Sequence, residues 1–374
     1  MLGSMAQSFF PLSTAPLLTR SQYWFVLVMA AYLCASAFGA LAVPGTGLSY
    51  ANVCFVFLLT TIGGSRSRED WGVAILLLAL MVLDIIFRIL LKDLSGLGYS
   101  VNIGRMAVFV LLAKQYWQLP CKIRLRLVFV FGAAAFFSEI FVIYNPEYRM
   151  ALFNAESVAE GFGFELYRPT GLIGDPNYFA FPLALMAVAA FQARHFKWFF
   201  VACCLMLATG SRSAVIAVLV PVMLLQMSRV KNNGLAVVGI MVGCFVVLIF
   251  AAAANAILRQ GTTSESNAER LGLIVQSFIN IATFGFLENT FGMPSALALD
   301  GERLVVHNTY LQTLSTSFSL GLFIVIRTFQ GFWRKSFSPI LLCVVIEMMF
   351  LDISSHSAFF MIFIMYSYAV PRIK

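Results

Sequence analysis

Nine of the chain's 25 lysines and arginines stand apart from the basic loops that hold the others: Arg88, Lys92, Arg105, Arg149, Arg168, Arg212, Arg259, Arg270 and Arg303. Eight of the nine are arginine. A guanidinium keeps its charge and offers a planar fork to a phosphate, whereas an ammonium behaves as a mobile point charge. Arginines collected on one face therefore point to an anionic ligand. Ion pairing with Glu147, Glu156, Glu165, Glu269 and Glu302 is the plainer use for them. Of three histidines, His195 falls in a turn on the opposite face, His356 in the last turn on the arginine face, and His307 at a helix start beside an arginine-bearing loop. A neutral imidazole there can take a proton near pH 7; a structural hydrogen bond at the helix start is the other reading. That face has neither an Asp-x-Asp nor a histidine–carboxylate cluster. Arginines are then what that face offers an anionic ligand.

These residues need elements to hold them, and the composition says which kind. Of 374 residues 60% are hydrophobic and 11% charged, with mean hydropathy +0.88. Soluble domains carry roughly 25% charged residues. A water-soluble enzyme, a disordered chain and a nucleic-acid module are thereby excluded. A bilayer crossing uses about 20 apolar residues, so twelve would use roughly 240. Apolar runs between breakers predict helices near 23–43, 48–63, 72–91, 99–117, 126–144, 177–193, 197–210, 213–228, 234–255, 307–326, 337–353 and 357–371. The expectation is an all-α polytopic membrane protein, a single transmembrane domain over 1–374 of about 12 helices. The first helix runs past Ala35-Ser36-Ala37, a signal-peptidase-like site, and is read as uncleaved. The seven cysteines are read as small packing residues with no disulfide.

The other 16 basic residues fall in alternate loops, among them Arg66 and Arg68, Lys114 to Arg126, Arg194 and Lys197, Arg327 to Lys335, and Arg372 with Lys374. That bias puts these loops and both termini in the cytoplasm, and the arginine face outside. Two longer loops lie on the outside, 145–175 and 255–306. In the first, Asp175 is expected to cap a helix whose first turn holds Pro176, with Arg168 close to that positive helix end. In the second, Ser266 to Ala282 reads as an interfacial amphipathic helix. Leu271, Ile274, Val275, Phe278 and Ala282 form its apolar stripe, while Asn267, Arg270 and Ser277 share another face. Within the helices, Asp84 and Arg88 are spaced to pair, and Glu139 and Glu347 are marked as intramembrane acids without an assigned role.

Four segments occur in a telling order: Arg168-Pro169-Thr170-Gly171 with Asp175-Pro176-Asn177, Thr209-Gly210-Ser211-Arg212, Arg270, and His307-Asn308-Thr309-Tyr310-Leu311. Together they resemble the bacterial O-antigen polymerase and O-antigen ligase superfamily over roughly 165–325. Ligases tend to show His-Asn, nine residues, Gly, two residues, Gly; here Phe318 stands at the first glycine and Gly321 matches the second. A spacing described for some polymerases, arginine then glycine after ten residues, meets Phe179 instead. The resemblance implies a metal-independent, cofactor-free, inverting glycosyltransferase of the bacterial inner membrane, working on the periplasmic side. Its donor and acceptor would be glycans on undecaprenyl diphosphate in membrane lipid, with a chain-length-regulating protein as partner and no nucleic acid. It assigns His307 and Arg270 to catalysis, and Arg212, Arg168 and Asn308 to substrate binding. Arg259 joins them by position alone. Polymerisation is favoured because of Phe318, ligation to lipid A–core is the near alternative, and transport of lipid-linked sugars is the reading from another class.

Overall fold

Apolar runs become helices where Ser, Thr, Asp and Pro can start them. In the computed structural model, residues 18–39, 41–44, 48–63, 68–90, 97–145, 158–161, 164–230, 239, 243, 272–279, 282–283, 298–299, 302–303, 308–316, 318–333, 338–351 and 356–367 are described. Thr19 and Gln22 form a capping box for α1 (Arg20–Ala37), and the Ser49 hydroxyl accepts from the Asn52 amide to start α2 (Tyr50–Leu59). The chain continues through α3 (Arg68–Leu90), α4 (Leu97–Gln118) and α5 (Cys121–Tyr144). Then come an antiparallel hairpin of β1 (Val158–Gly161) and β2 (Phe164–Tyr167), and a 3-10 turn at Gly171–Ile173. Next are α6 (Pro176–Gln192), α7 (Phe196–Ala208) and α8 (Arg212–Arg229). A helical segment α9 at 272–279 and a second hairpin, β3 (Ala298–Leu299) with β4 (Glu302–Arg303), follow. The described chain ends with α10 (Thr309–Thr316), α11 (Phe318–Trp333), α12 (Pro339–Met348) and α13 (Ser357–Ser367).

The core is built around α6. Every residue from Phe179 to Phe191 is buried, enclosed by α5, α7, α8 and α12. At the opposite extreme, α3 buries Ala74, Leu77, Asp84 and Arg88 and exposes Ile75, Leu76, Val82, Leu83, Ile86, Ile89 and Leu90. Its outer face is apolar and its packed face carries the charges. By length and composition α3 and α5, of 23 and 24 residues, can cross a membrane, and the other apolar helices are shorter. Asp84 and Arg88 pair as their spacing predicts, at 2.8 Å, with the Ser100 hydroxyl donating to the same carboxylate oxygen. At the end of the bundle where α5 begins, Arg124 stacks 3.9 Å from the Trp117 ring centroid, the Trp117 indole donates to the Met365 carbonyl, and the Tyr116 and Tyr366 hydroxyls meet at 3.0 Å. These contacts tie α4 and α5 to α13.

Two expectations change. The helix expected over 307–326 is two helices, α10 and α11, folded back on one another and joined by a hydrogen bond between the Tyr310 and Thr328 hydroxyls at 3.2 Å. Gly321 lets α11 come against the backbone of Leu314. The loops at 145–175 and 255–306 also contain the two hairpins. The helix expected over 234–255 lies outside the described residues except for helical positions 239 and 243. Within α9, Leu273 is buried beside Leu311 and Ser277 is buried with its hydroxyl on the Leu273 carbonyl. Val275, Phe278 and Ile279 are exposed, so much of the expected apolar stripe faces outward.

A Cβ on Gly321 would stand 2.6 Å from the Leu314 nitrogen and 2.7 Å from its Cα. Gly321→Ala is therefore expected to cost about 1–3 kcal/mol by overpacking, read as a lowered Tm of the purified protein in detergent. An unchanged Tm would show that α10 and α11 are not in this close contact.

Candidate functional site

Glu139 and Ser138 stand near the C-terminal end of α5, both buried. One Glu139 oxygen accepts from the amides of Thr170 at 3.0 Å and Gly171 at 2.7 Å. The Ser138 hydroxyl accepts from the Leu172 amide at 3.2 Å and donates to the Ala135 carbonyl. Three consecutive amides, those of Thr170 and Gly171 and of Leu172 just after them, are thus bound by two adjacent side chains. Gly171 has φ +54°, and a Cβ there would collide with the Ser138 hydroxyl and the Phe179 ring. The 3-10 turn then delivers Asp175, which caps α6 as expected, accepting from Asn177 at 2.6 Å and Tyr178 at 3.1 Å.

Upstream of the turn, the Arg168 Nε–H donates to the Thr209 carbonyl at 2.7 Å. Thr209 is the C-cap of α7, where backbone carbonyls lack helical partners and the helix dipole is negative. Arg168 therefore serves the C-terminus of α7, whereas its position in the sequence suggests the N-terminus of α6. This bond joins the first two of the four segments. One residue pair further on, Arg212 opens α8, exposed, with no acidic residue in the first turn. The helix dipole disfavours a cation at that end. Arg212 and the α8 amides thus add to one positive potential. Behind it, the Ser211 and Ser213 hydroxyls lie 3.1 Å apart. Ser213 faces Glu347 of α12, which is fully buried with neither oxygen in a well-formed hydrogen bond.

The fourth segment arrives through Asn308. Its amide donates to the Met349 carbonyl at 2.9 Å and its oxygen accepts from the Leu311 amide at 3.1 Å; the Thr309 hydroxyl donates to the Leu351 carbonyl. Asn308 thus seats the start of α10 on the end of α12, and α12 packs on α8. His307, Arg270 and Arg259 lie outside the described residues. Among the described ones, bonds join the ends of α5, α6, α7 and α8 and, separately, those of α10 and α12; packing of α8 on α12 brings the two groups together, and α13 joins through His356. The His356 ring sits 4.5 Å from Tyr178 and 5.0 Å from Phe359. Burial lowers its pKa to about 4, against an opposing pull from Asp175. It is neutral at pH 7.

Glu139, Ser138, Ser213 and His356 gain roles that the linear pattern does not assign. The signal for Glu139 was its charge inside an apolar run; nothing in the spacing marks which turn it holds. Among the described residues no three of His, Cys, Asp and Glu gather as a ligand set. Comparison with protein-family models, curated proteins and solved structures gives no match, so the residues and their geometry carry the functional argument.

Glu139→Ala leaves two buried amides without an acceptor and is expected to cost about 1–3 kcal/mol for each, with a smaller loss for Glu139→Gln, which retains one carbonyl oxygen; thermal unfolding measures both. His356 gives a pH effect of defined sign. As pH falls below 6.5 the unfolded imidazole takes up a proton that the folded one resists until about 4. Stability is therefore complete above about pH 6.5 and declines toward pH 4, by at most about 3 kcal/mol. His356→Phe should flatten the Tm difference between pH 7.5 and 5.0, and an undiminished difference would assign it to other groups.

Proposed function

We propose that the protein is a glycosyltransferase of the bacterial inner membrane that polymerises glycan repeat units carried on undecaprenyl diphosphate, acting on the periplasmic side. The observation that carries this reading is the Arg168–Thr209 bond, which brings the 168–171 and 209–212 segments together beside the exposed Arg212 at a helix N-terminus. A diphosphate leaving group needs such fixed positive potential, and it needs it most as charge develops in the transition state. The twelve-span arrangement with cytoplasmic termini is part of the same reading. It is supported by the apolar outer face of α3, the two membrane-length helices and the alternation of basic loops.

In the proposed reaction an acceptor sugar hydroxyl attacks the anomeric carbon of the donor from the side opposite the diphosphate. The new carbon–oxygen bond forms as the bond to the diphosphate oxygen breaks, with inversion. The hydroxyl proton passes to the His307 imidazole. The diphosphate leaves with the electron pair of the broken bond, its charge met by Arg212 and Arg270, with Arg168 and Arg259 as further substrate-binding cations. Asn308, through its bonds to α12 and the first turn of α10, fixes the backbone next to His307. The outward Val275, Phe278 and Ile279 of α9 suit a helix lying in the bilayer interface, the place read for Arg270 from the sequence.

The ligase reading has one specific observation in its favour: Gly321, which matches the ligase spacing, is required for the close packing of α10 and α11. Purified protein supplied with a synthetic lipid-linked repeat unit distinguishes the two. Polymerisation yields a ladder of products, and a single transfer to lipid A–core with no ladder replaces it by ligation. His307→Ala, Arg270→Ala and Arg212→Ala are each expected to lower kcat by about 10²–10³. Well-inserted variants that keep full activity would show that these residues are not the site, and purified protein that forms no glycosidic product would leave transport as the reading.

A further inference from the structure

A second cationic centre lies between α2 and α4. The half-buried Arg105, in the N-terminal half of α4, donates from one terminal nitrogen to the Asn102 oxygen at 3.0 Å and from the other to the Asn52 oxygen at 2.6 Å. Its Cζ stands 5.7 Å from the Phe55 ring centroid. All of these partners are neutral. They orient the guanidinium without cancelling its charge. Among the described residues the ion pair is the neighbouring Arg88–Asp84, so the nearby carboxylate already has its cation. Asn52 belongs to the first turn of α2, whose amides add positive potential. Arg105 reaches toward that helix end past Asn102, one turn back toward the start of α4, as a long cation does when its stem lies among apolar groups.

The surroundings favour a lipid anion over a soluble one. Val56, Phe57 and Leu59 of α2 and Ile86, Ile89 and Leu90 of α3 are exposed. A hydrocarbon tail along these faces would cover apolar surface while its phosphate met Arg105. The centre and the Gly171 turn belong to different elements: α1 packs on α2 and also on α5 and the 3-10 turn.

We propose that Arg105, with Asn52 and Asn102, holds the phosphate of a second polyprenyl-linked substrate, the acceptor, while the Arg168–Arg212 side holds the donor. This rests on the polymerising reading, in which both substrates are lipid diphosphates and each needs its own anion site. The centre binds the acceptor's carrier and leaves its sugar free to reach the donor across the end of α1.

The test is the stoichiometry of undecaprenyl diphosphate bound to the full chain in phosphatidylcholine nanodiscs. Wild type is expected to bind two equivalents. Arg105→Gln should retain one and weaken the other by about tenfold or more, and Arg212→Gln should weaken the complementary one. Two equivalents at unchanged affinity in Arg105→Gln overturn the proposal. So does equal displacement from the Arg105 site by phosphatidylglycerol, which makes it a general lipid site, or by inorganic diphosphate, which makes it a free-anion site. One equivalent in wild type, lost with Arg212→Gln, overturns this proposal and leaves the polymerising reading standing; no binding at all removes both. A photoactivatable polyprenyl diphosphate on wild-type protein needs no variant. Labelling around Asn52–Phe55 supports the second site, and labelling confined to 168–212 overturns it.

Discussion

A single carboxylate oxygen, on Glu139, organises the end of the helix bundle where the candidate site lies. It accepts from two successive amides of the Arg-Pro-Thr-Gly turn, and Ser138 beside it takes the third. Buried amides must be paired or the segment does not stay buried. Because these three are paired to α5, the turn lies against the core, Asp175 arrives where it caps α6, and Arg168 arrives where it meets the end of α7. A charged group inside an apolar helix is costly, and here the cost is offset by backbone hydrogen bonds that set the geometry of a neighbouring loop.

The rest of the electrostatics follows from how few charges there are. Where one carboxylate can meet one cation, as Asp84 meets Arg88, the pair is closed and serves packing between helices. Arg105 and Arg212 are different: one is held by amide oxygens and the other stands exposed at a helix start. Arg168 is drawn to a carbonyl at the negative end of a helix. In surroundings of low dielectric such oriented cations act over a longer range than they would in water. The helix α1 packs on α2, whose first turn carries Asn52, and also on α5 and the 3-10 turn, so it touches the elements of both positive regions.

Much of the helical framework was legible in the linear pattern because its signals are local. The cap at Asp175 with Pro176 behind it, the Asp84–Arg88 spacing and the limits of α4 through α8 each depend on neighbours within a few residues. The reversal between α10 and α11 was not legible. A hydrophobic run reads as one helix until something decides that Gly321 will rest on Leu314, and that contact belongs to the folded chain. The same holds for Arg168: its neighbours in sequence suggest α6, whereas the carbonyl that attracts it is 41 residues away.

By itself, then, the sequence determined that the chain is helical and apolar, where most helices begin and end, and which few cations stand apart from the basic loops. Those properties arise from composition and from interactions along one turn of backbone. The tertiary structure alone decided which segments meet: that Glu139 grips residues 170–171, that Arg168 closes on Thr209, that Asn308 fastens α10 to α12, and that Arg105 is held between two asparagines. The reason is physical. A side chain's partner is set by burial and by which unpaired backbone groups the packing brings within reach, and neither is a function of distance along the chain.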